Sequence, residues 1–324
     1  MMDHLFRRIE DAHAYLRHVL VSTPLALSPL LSEVAQTKVY LKCEHLQPTG
    51  SFKVRGALNK IRQLPLDVRQ AGVITVSSGN HGQAMAWAGW RSRVPVTVYT
   101  SSAAASVKLD AIRAWGATVV ALDMPLLSVE LEARRIADQR GMAFVSPYND
   151  IDVIAGQGTM GLEIHQACQD QGVHLDAVYA SVGGGGMISG LGAALAHTSR
   201  QQTRLVGCWP EHSAALYQAI EAGCVVDAPE LDTISDGTAG GLEPDTITLD
   251  LARALVRDTC LVSEGDITSA MRLIAQTDRW MIEGAAGVAV AGMLHDTARH
   301  HPDAVAVVLC GRNINLSTYI EAVQ

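Results

Sequence analysis

Short apolar runs alternate along the chain with longer segments in which apolar residues recur at helical spacing. Seven short runs, rich in β-branched residues, predict strands over residues 39–41, 73–76, 96–99, 118–120, 177–179, 205–207 and 304–309. The longer segments predict helices over residues 106–115, 126–139, 186–197, 213–222 and 266–279. Strands that alternate with helices form parallel sheets with helical crossovers, so we expect an α/β protein. The strands are apolar almost throughout, which indicates that both faces of each sheet are covered.

Composition and charge exclude several classes of protein. The 324 residues are enough for about two domains of ordinary size. Lys and Arg number 25 against 33 Asp and Glu, and the formal net charge of −8 has the wrong sign for a nucleic-acid-binding surface. No apolar stretch reaches the roughly 20 residues that span a bilayer. We therefore expect neither nucleic acid nor a membrane as a partner.

The first residues and the cysteines favour the cytoplasm. Charged side chains recur through residues 3–11, where a secretory signal peptide would be apolar. The six cysteines are scattered without a Cys-x-x-Cys pair, which suits a reducing compartment better than a disulfide framework or a zinc site. We expect a cytoplasmic protein whose cysteines are mostly buried apolar side chains, with Cys310 as a candidate exception.

A run of four glycines is the first candidate binding site. It lies in Ser181-Val-Gly-Gly-Gly-Gly-Met187, between a predicted strand and a predicted helix. Glycines there leave backbone N–H groups bare at a helix N-terminus, where the helix dipole also favours an anion, so a phosphate is a suitable ligand. A tight turn without a ligand is an equal alternative. The run matches neither the dinucleotide pattern Gly-x-Gly-x-x-Gly nor the P-loop pattern.

Two further loops carry reactive or polar side chains. Lys53 follows Phe52 among small turn residues. In an apolar setting the pKa of a lysine falls and its amine can form a Schiff base, although a lysine considered alone is more often a surface charge. The loop 77–82 (Ser-Ser-Gly-Asn-His-Gly) offers donors for a carboxylate, or alternatively a serine N-cap for the following helix.

The fourth loop, 310–313 (Cys-Gly-Arg-Asn), directly follows the most apolar predicted strand. Ligands of open α/β sheets collect at the carboxyl ends of the strands. We therefore expect the loops that begin at Ser77, Gly183 and Cys310 to face one crevice.

With these loops the chain resembles the fold-type II pyridoxal-phosphate enzymes, in particular the serine/threonine dehydratase and serine racemase group. The shared motifs occur in order over nearly the whole chain: Thr23-Pro-Leu25, Lys42-Cys-Glu44, Pro48-Thr-Gly-Ser-Phe-Lys-Val-Arg-Gly-Ala57, Ser77-Ser-Gly-Asn-His-Gly-Gln83, Val153-Ile-Ala-Gly-Gln-Gly-Thr159, Ser181-Val-Gly-Gly-Gly-Gly-Met187, Glu283-Gly-Ala-Ala-Gly287 and Cys310-Gly-Arg-Asn313. Together these motifs are very specific. The resemblance implies pyridoxal 5'-phosphate as cofactor, a homodimer, and a fold like that of the tryptophan synthase β chain, with two doubly wound parallel-sheet domains.

The resemblance also implies the boundaries of the domains and the residues of the site. Residues 1–71 and 149–324 would form a large cofactor-binding domain, and residues 72–148 a small mobile domain that closes on the substrate. The residues implied to bind the cofactor are Phe52, Lys53, Asn80, Gly183, Gly184, Gly185, Gly186, Met187 and Cys310. Those implied to bind the substrate are Ser77, Ser78, Asn80 and His81. The implied catalytic residues are Lys53, which would form the Schiff base, and Ser78.

The implied reaction is dehydration of a β-hydroxy-α-amino acid to a 2-keto acid and ammonia, in which Lys53 removes the α-proton and the β-hydroxyl leaves as water. The substrate would be serine, threonine or a bulkier analogue such as phenylserine or 3-hydroxyaspartate. Opposite the ring nitrogen, a neutral Cys310 thiol suits elimination better than transamination, although a buried cysteine without a role is the alternative. Within the group, racemisation is the alternative function, because Ser78 could reprotonate the opposite face of the α-carbon. Outside it, the alternatives are a catalytically silent binding protein and a nicotinamide-dependent oxidoreductase.

Three stretches depart from the group. Arg312 stands where relatives commonly have glycine, and the variant resembles a dehydratase subgroup associated with hydroxyectoine breakdown. In residues 208–215, which resemble the divalent-metal loop of the racemases, Trp209 and Ala215 cannot ligate a hard cation, so no metal site is expected. The apolar segment 124–127 (Met-Pro-Leu-Leu) would admit an apolar β-substituent if it faced the cleft, whereas ordinary helix packing is its more frequent role.

Overall fold

The computed structural model of the chain describes residues 2–124, 126–199 and 203–324. Within these residues, ten strands form two separate sheets. The strands are β1 (Leu25–Leu27), β2 (Lys38–Lys42), β3 (Val73–Val76), β4 (Val96–Ser101), β5 (Thr118–Leu122), β6 (Ala143–Phe144), β7 (Ala177–Ser181), β8 (Arg204–Pro210), β9 (Asp258–Val262) and β10 (Ala304–Val308).

Helices fill most of the remaining described chain. The α-helices are α1 (Met2–Leu16), α2 (Pro29–Ala35), α3 (Val54–Gln63), α4 (Leu66–Ala71), α5 (Asn80–Ser92), α6 (Ser106–Arg113), α7 (Leu126–Arg140), α8 (Ile151–Gln171), α9 (Gly186–Thr198), α10 (Ala215–Ala222), α11 (Thr248–Leu255), α12 (Glu264–Thr277), α13 (Gly284–His300) and α14 (Leu316–Val323). A single turn of 3-10 helix spans Glu44–Leu46.

The larger sheet has the strand order β1-β2-β10-β7-β8-β9, and the smaller sheet has the order β5-β4-β3-β6. Neighbouring strands are parallel except β1, which runs antiparallel to β2 at the edge of the larger sheet. The predicted α/β class with two parallel sheets is confirmed, and each of the seven predicted strands is present. The sequence pattern missed β1 and β6, which are only 3 and 2 residues long, and β9, which begins with the polar pair Asp258-Thr259.

The five predicted helices are present as α6, α7, α9, α10 and α12. Local chemistry explains where α12 begins. α12 starts with a capping box, in which Ser263 Oγ accepts a hydrogen bond from the Asp266 amide at 3.2 Å and Asp266 Oδ2 accepts one from the Ser263 amide at 3.0 Å. Two of the first orphan amides of the helix are thereby satisfied.

Glycines let α8 and α9 approach each other closely below the larger sheet. A Cβ added at Gly190 of α9 would lie 2.6 Å from the backbone nitrogen of Gly158 in α8. That distance is too short for any side chain, so the two helices meet backbone to backbone. Because the glycine run leads directly into α9, this contact also fixes the position of the run relative to α8.

α3 packs between the smaller sheet and α8. Val54, Leu58 and Ile61 belong to the same apolar core as Val73 and Val98 of the smaller sheet. The opposite side of α3 packs against α8. Lys53 immediately precedes α3, so the lysine lies at the end of the helix that joins the smaller sheet to α8. The division into domains at residues 72 and 148 stays a prediction.

A buried network of charges anchors the start of α3. Arg55 Nε and Nη2 donate to Glu44 at 2.7 and 2.8 Å, and Nη1 and Nη2 both donate to Glu163 at 2.7 Å. Lys42 completes the network with an ion pair to Glu163 at 2.5 Å. Burial acts to raise the pKa of Glu44, but Arg55 and Lys42 lower it to about 2. The two positive and two negative charges balance.

None of the described helices is both long and apolar enough to cross a bilayer. Pro125, within the apolar segment 124–127, lies outside the described residues, so the position of this segment relative to the cleft stays a prediction. Val129, which follows it, is fully buried and packs with Val76 and Tyr99 against the smaller sheet.

We expect the substitution Arg55→Met to destabilise the protein by about 3–5 kcal/mol, because it leaves Glu44 and Glu163 buried together without their main counter-charge. The free energy of unfolding in urea measures this effect. Arg113→Met is the matched control, since among the described residues its guanidinium pairs only with Asp110, at the surface, and its unfolding curve should match that of the wild type. Equal stability of the two variants would contradict the structural role of the network.

Candidate active site

Lys53 caps the N-terminus of α3 and is half-buried. Its ammonium nitrogen donates to the carbonyl oxygen of Pro147 at 3.2 Å and lies 5.2 Å from the centroid of the Phe52 ring. Burial lowers the pKa of Lys53 to about 8, although Cys310 and Glu283 act in the opposite direction. The amine is therefore closer to its reactive neutral form than an ordinary surface lysine.

Backbone pairing holds Lys53 beside the end of β10. Ser51 forms an isolated antiparallel bridge with Gly311, and the Phe52 amide donates to the Cys310 carbonyl at 3.0 Å. Lys53 and Phe52 were predicted to act together with Cys310, and the structure brings all three into one place. The pairing explains how this loop, which follows β2 after one turn of 3-10 helix, is held at the carboxyl edge of the larger sheet.

The thiol of Cys310 is buried between neighbouring strands. Ser181 Oγ, at the end of β7, donates to Cys310 Sγ at 3.5 Å. Burial raises the pKa of Cys310, and the nearby Glu283 acts in the same direction. Cys310 is therefore a neutral thiol near pH 7, which is the state that the predicted elimination reaction favours.

The glycine run presents bare backbone amides at the start of α9. Among the described residues, the amides of Gly183, Gly184, Gly185, Gly186 and Met187 have no hydrogen-bond acceptor. Such a row of donors at the N-terminus of a 13-residue helix is suited to an anion.

The same glycines are also required by packing. A Cβ at Gly184 would overlap the ring of Tyr148, and a Cβ at Gly183 would lie 2.8 Å from the carbonyl oxygen of Thr238. Gly185 adopts a φ of +88°, in the left-handed region that favours glycine. The loop therefore needs glycine for its own packing and conformation, and anion binding by its bare amides stays a prediction.

Tyr148 is held over the glycine run by Glu243, and sequence reasoning missed both residues. Tyr148 Oη accepts from the Glu243 amide at 2.7 Å. The Glu243 carboxylate accepts from Ser146 Oγ at 2.6 Å and from Asn149 Nδ2 at 2.8 Å, and it pairs with Arg134 at 2.6 Å. One carboxylate therefore ties the connection between β6 and α8 to the loop that precedes α11. No repeated pattern or known motif surrounds Glu243, so the sequence offered no signal for it.

The loop after β3 leads into α5 and faces the same crevice. Gly79 occupies the N-cap position without a side-chain cap, and Ser77 Oγ accepts from the Gly79 amide at 3.1 Å. Neither serine caps the helix, so the alternative of a serine N-cap is wrong. Ser78 Oγ has no hydrogen-bond partner within the described chain, and Ser78 is half-buried.

Asn80 and His81 begin α5 but differ in their surroundings. Asn80 is half-buried and lies against the loops of the larger sheet, where Asn313 Nδ2 donates to its Oδ1 at 2.6 Å. His81 is buried, and its Nε2 lies 3.4 Å from the Val145 carbonyl oxygen. Burial lowers the pKa of His81 to about 3, and Lys53 acts in the same direction, so the ring is neutral. A role for His81 in binding the substrate stays a prediction.

Glu283 is a further residue that sequence reasoning left without a role. It precedes α13, and its side chain is buried between Asn80 and the loop after β10. Its Oε1 accepts from Asn80 Nδ2 at 2.7 Å and its Oε2 accepts from the Asn313 amide at 2.8 Å. The available signal was its place in the motif Glu283-Gly-Ala-Ala-Gly287, a single carboxylate directly before an apolar helix.

The stretch that resembles the metal loop of the racemases contributes no cluster of ligands. Trp209 is fully buried, whereas His212 lies near the surface and its Nδ1 is 2.6 Å from the Asp232 carbonyl oxygen. Within the described ranges, no three His, Cys, Asp or Glu side chains are grouped so that they could hold a metal ion.

The arrangement fits an aromatic aldehyde that carries a phosphate. Lys53 would supply the amine and the apolar ring of Phe52 would pack on the ring of the cofactor. The bare amides that begin at Gly183 would hold the phosphate, and Asn80 and Cys310 would meet polar atoms of the ring. The four loops predicted to act together are therefore linked by direct contacts, to which the structure adds Glu283 and Tyr148.

Comparison with known proteins agrees with this fit. The profile of the family described as "Pyridoxal-phosphate dependent enzyme" matches residues 17–311. The chain is 35% identical over 310 residues to the L-threonine ammonia-lyase of Thermotoga maritima, covering 95% of this chain and 75% of that protein. It is 34% identical over 309 residues to the beta-hydroxyaspartate dehydratase of Paracoccus denitrificans, covering 94% of this chain and 95% of that protein.

A solved structure agrees as well. Maize serine racemase superposes with a TM-score of 0.91 at 27% identity, covering 98% of this chain and 96% of that one. The chain therefore belongs to the pyridoxal-phosphate dependent enzymes, in the group of serine/threonine dehydratases and serine racemases that its motifs predicted, and its cofactor is pyridoxal 5'-phosphate.

Proposed function

We propose that the protein is a dehydratase that converts a β-hydroxy-α-amino acid into a 2-keto acid and ammonia. The substrate class comprises serine, threonine and bulkier analogues such as phenylserine and 3-hydroxyaspartate. Two relatives with about one third identity over most of the chain, an L-threonine ammonia-lyase and a beta-hydroxyaspartate dehydratase, support this class of reaction.

The observation that carries the proposal is an amine of lowered pKa beside an uncharged thiol. When bound, pyridoxal phosphate supplies a conjugated ring that accepts the electron pair left on the α-carbon. Lys53 removes the α-proton, a task for which its pKa of about 8 is well placed near neutral pH. Cys310 would lie opposite the ring nitrogen as a neutral thiol and would add no negative charge there, which favours loss of the β-hydroxyl over a long-lived charge on the ring.

The atoms of the reaction balance without a further reactant. Loss of the α-proton and the β-hydroxyl removes one water and leaves an enamine. After release, the enamine takes up one water and yields the 2-keto acid and ammonia. No oxidant or reductant is needed.

The start of α5 would hold the carboxylate of the substrate. The amides of Asn80 and His81 are the first of the helix, and no acceptor for them is present in the described part of the chain. The dipole of this 13-residue helix favours an anion at the same point. Ser77, Ser78, Asn80 and His81 would thus bring the α-carbon towards Lys53, with Ser77 committed to its own loop and Ser78 directed at the substrate.

Racemisation is the second candidate function, and the uncommitted hydroxyl of Ser78 favours it. A proton returned to the α-carbon by Ser78, from the face opposite to Lys53, would invert the substrate. The likeness to maize serine racemase supports this alternative. In either case we expect a cytoplasmic homodimer.

The purified protein, loaded with pyridoxal phosphate, should release 2-keto acid and ammonia in equal amounts from at least one tested substrate. The panel comprises the separate stereoisomers of serine, threonine, threo-3-hydroxyaspartate and phenylserine. Keto acids are measured as hydrazones and ammonia enzymatically. Accumulation of D-serine from L-serine without keto acid would reject dehydration in favour of racemisation.

Ser78→Ala separates the two functions further. If Ser78 returns a proton to the opposite face, the substitution should lower the formation of D-serine more than the formation of pyruvate, because elimination needs only the proton taken by Lys53. Chiral chromatography and a pyruvate assay on the same sample measure both products. Equal losses of both products would show that Ser78 binds the substrate and has no separate role in inversion.

Lys53→Ala should abolish the yellow, borohydride-reducible chromophore and lower keto-acid formation by about 1000-fold or more. Lys38→Ala is the control, because Lys38 is exposed at the start of β2, at the opposite end of the strand from the site. The visible spectrum and the keto-acid assay measure both effects. Retained colour and turnover in the Lys53 variant would overturn its role.

The lowered pKa of Lys53 can be tested in the protein freed of cofactor. Labelling of Lys53 by trinitrobenzenesulfonate should rise with pH through a midpoint of about 8, since only the neutral amine reacts. Lys60 is the internal control: burial acts to lower its pKa, but ion pairs with Asp150 and Asp152 raise it, so it should react only at higher pH. Peptide mass spectrometry follows both residues. A Lys53 midpoint as high as that of Lys60 would contradict the desolvation of the amine.

A further inference from the structure

We propose that Glu283 is a positioning residue that fixes the side-chain amide of Asn80, so that one N–H of Asn80 is always presented to the cofactor. The inference rests on the assignment of pyridoxal phosphate to this site. It does not depend on which amino acid the enzyme converts.

Three residues, Asn80, Glu283 and Asn313, form a closed chain of hydrogen bonds at the edge of the site. Asn80 Nδ2 donates to Glu283 Oε1 at 2.7 Å, and Asn80 Oδ1 accepts from Asn313 Nδ2 at 2.6 Å. The Asn313 amide donates to Glu283 Oε2 at 2.8 Å. Both ends of the Asn80 amide are therefore engaged, and one N–H of Nδ2 has no acceptor in the described part of the chain.

The orientation of each amide is imposed by an atom that cannot change its role. Asn313 Nδ2 donates to the carbonyl oxygen of Thr49 at 2.8 Å, and a carbonyl can only accept. Asn313 must therefore offer N–H to Asn80, and Asn80 must turn its oxygen towards Asn313. The opposite end of Asn80 then carries the N–H groups, one for Glu283 and one for the cofactor.

The carboxylate has no room to move. Glu283 is 2% exposed, and a Cβ added at Gly311 would lie 2.7 Å from its Cδ. Its own amide donates to the Gly311 carbonyl at 3.1 Å. Glu283 is therefore held from behind by the loop that carries Cys310, and it transmits the position of that loop to Asn80.

The hydrogen bonds and the charge of Glu283 depend on each other. Burial raises the pKa of Glu283 to about 7, and Asp236 acts in the same direction. The N–H bonds from Asn313 and Asn80 and the charge of Lys108 oppose this rise. Because both oxygens already accept N–H groups, Glu283 orients its neighbours and is not placed as a proton donor to the substrate.

Glu283→Gln tests the proposal, because glutamine offers one oxygen where two N–H donors need acceptors. Asn313 presents a backbone N–H that cannot be reversed, so the new amide would meet Asn80 donor against donor. We expect the dissociation constant of pyridoxal phosphate from the cofactor-free protein to rise by about tenfold or more. The visible band of the loaded protein should also shift in wavelength or in the midpoint of its pH titration.

Two further variants keep the test decisive. Asn313→Ala removes the side-chain donor that orients Asn80 but keeps the backbone N–H to Glu283. It should also shift the visible band, so the proposal can be tested even if the Glu283 variant does not fold. Asp176→Asn is the matched control: its carboxylate also accepts two backbone amides, from Asp303 and Ala304 at 2.8 and 3.2 Å, but at the opposite end of the larger sheet. It should bind the cofactor as the wild type does.

The readouts separate positioning from support of the fold. Weaker cofactor binding together with a shifted band in the Glu283 or Asn313 variant, and neither change in the Asp176 variant, supports the proposal. An unchanged cofactor affinity and band in folded Glu283 and Asn313 variants overturns it, as does a lowered melting temperature with an unchanged band. Since neither readout uses turnover, failure of this proposal is distinct from failure of the proposed dehydratase activity.

Discussion

Backbone pairing between the loop of Lys53 and the end of β10 is the interaction on which the rest of the site depends. The bridge between Ser51 and Gly311, with the hydrogen bond from the Phe52 amide to the Cys310 carbonyl, joins two loops that are far apart in the sequence. Backbone groups make these contacts, so the relative position of the two loops does not rely on flexible side chains. The pairing does require glycine at position 311, because the buried Glu283 carboxyl occupies the space that a side chain would need.

The sequence predicted the layers of the fold and the members of the site better than it predicted how they are held. Runs of apolar residues identify buried strands wherever they are long enough to show a pattern, which is why β10 was predicted and the two-residue β6 was not. The motifs predicted roles for Lys53, Asn80 and the glycine run because each motif is a short continuous segment of the sequence. Glu243 and Glu283 act through contacts with residues distant in the chain, and a single carboxylate in a sequence carries no information about such partners.

The glycine run shows why a motif can have two explanations at once. Gly184 is required by the ring of Tyr148, and Gly183 by the backbone at Thr238. The same absence of side chains leaves a row of amides without acceptors at the start of α9. The close packing on one side and the proposed anion binding on the other would therefore both follow from the same four glycines. Neither explanation excludes the other, and a substitution that fills the loop would disturb both.

Arg55 and Lys53 are only two residues apart, but the sets of ionisable groups to which they belong differ in whether they keep their charges. Arg55, Glu44 and Glu163 lie within 2.7 to 2.8 Å of their partners, so their charges are retained despite burial. Among the described residues, Lys53, Cys310 and Glu283 have no opposite charge this close. Burial therefore lowers the pKa of the lysine and raises the pKa of the other two groups, which favours the neutral form of each. In the proposed function, the phosphate of the cofactor and the carboxylate of the substrate would be bound chiefly by the amides at the starts of α5 and α9. Helix amides do not titrate, so the proposed anion binding would stay constant over a pH range in which Lys53 gains or loses its proton. The groups that would bind the anions are thus different from the amine that would transfer protons.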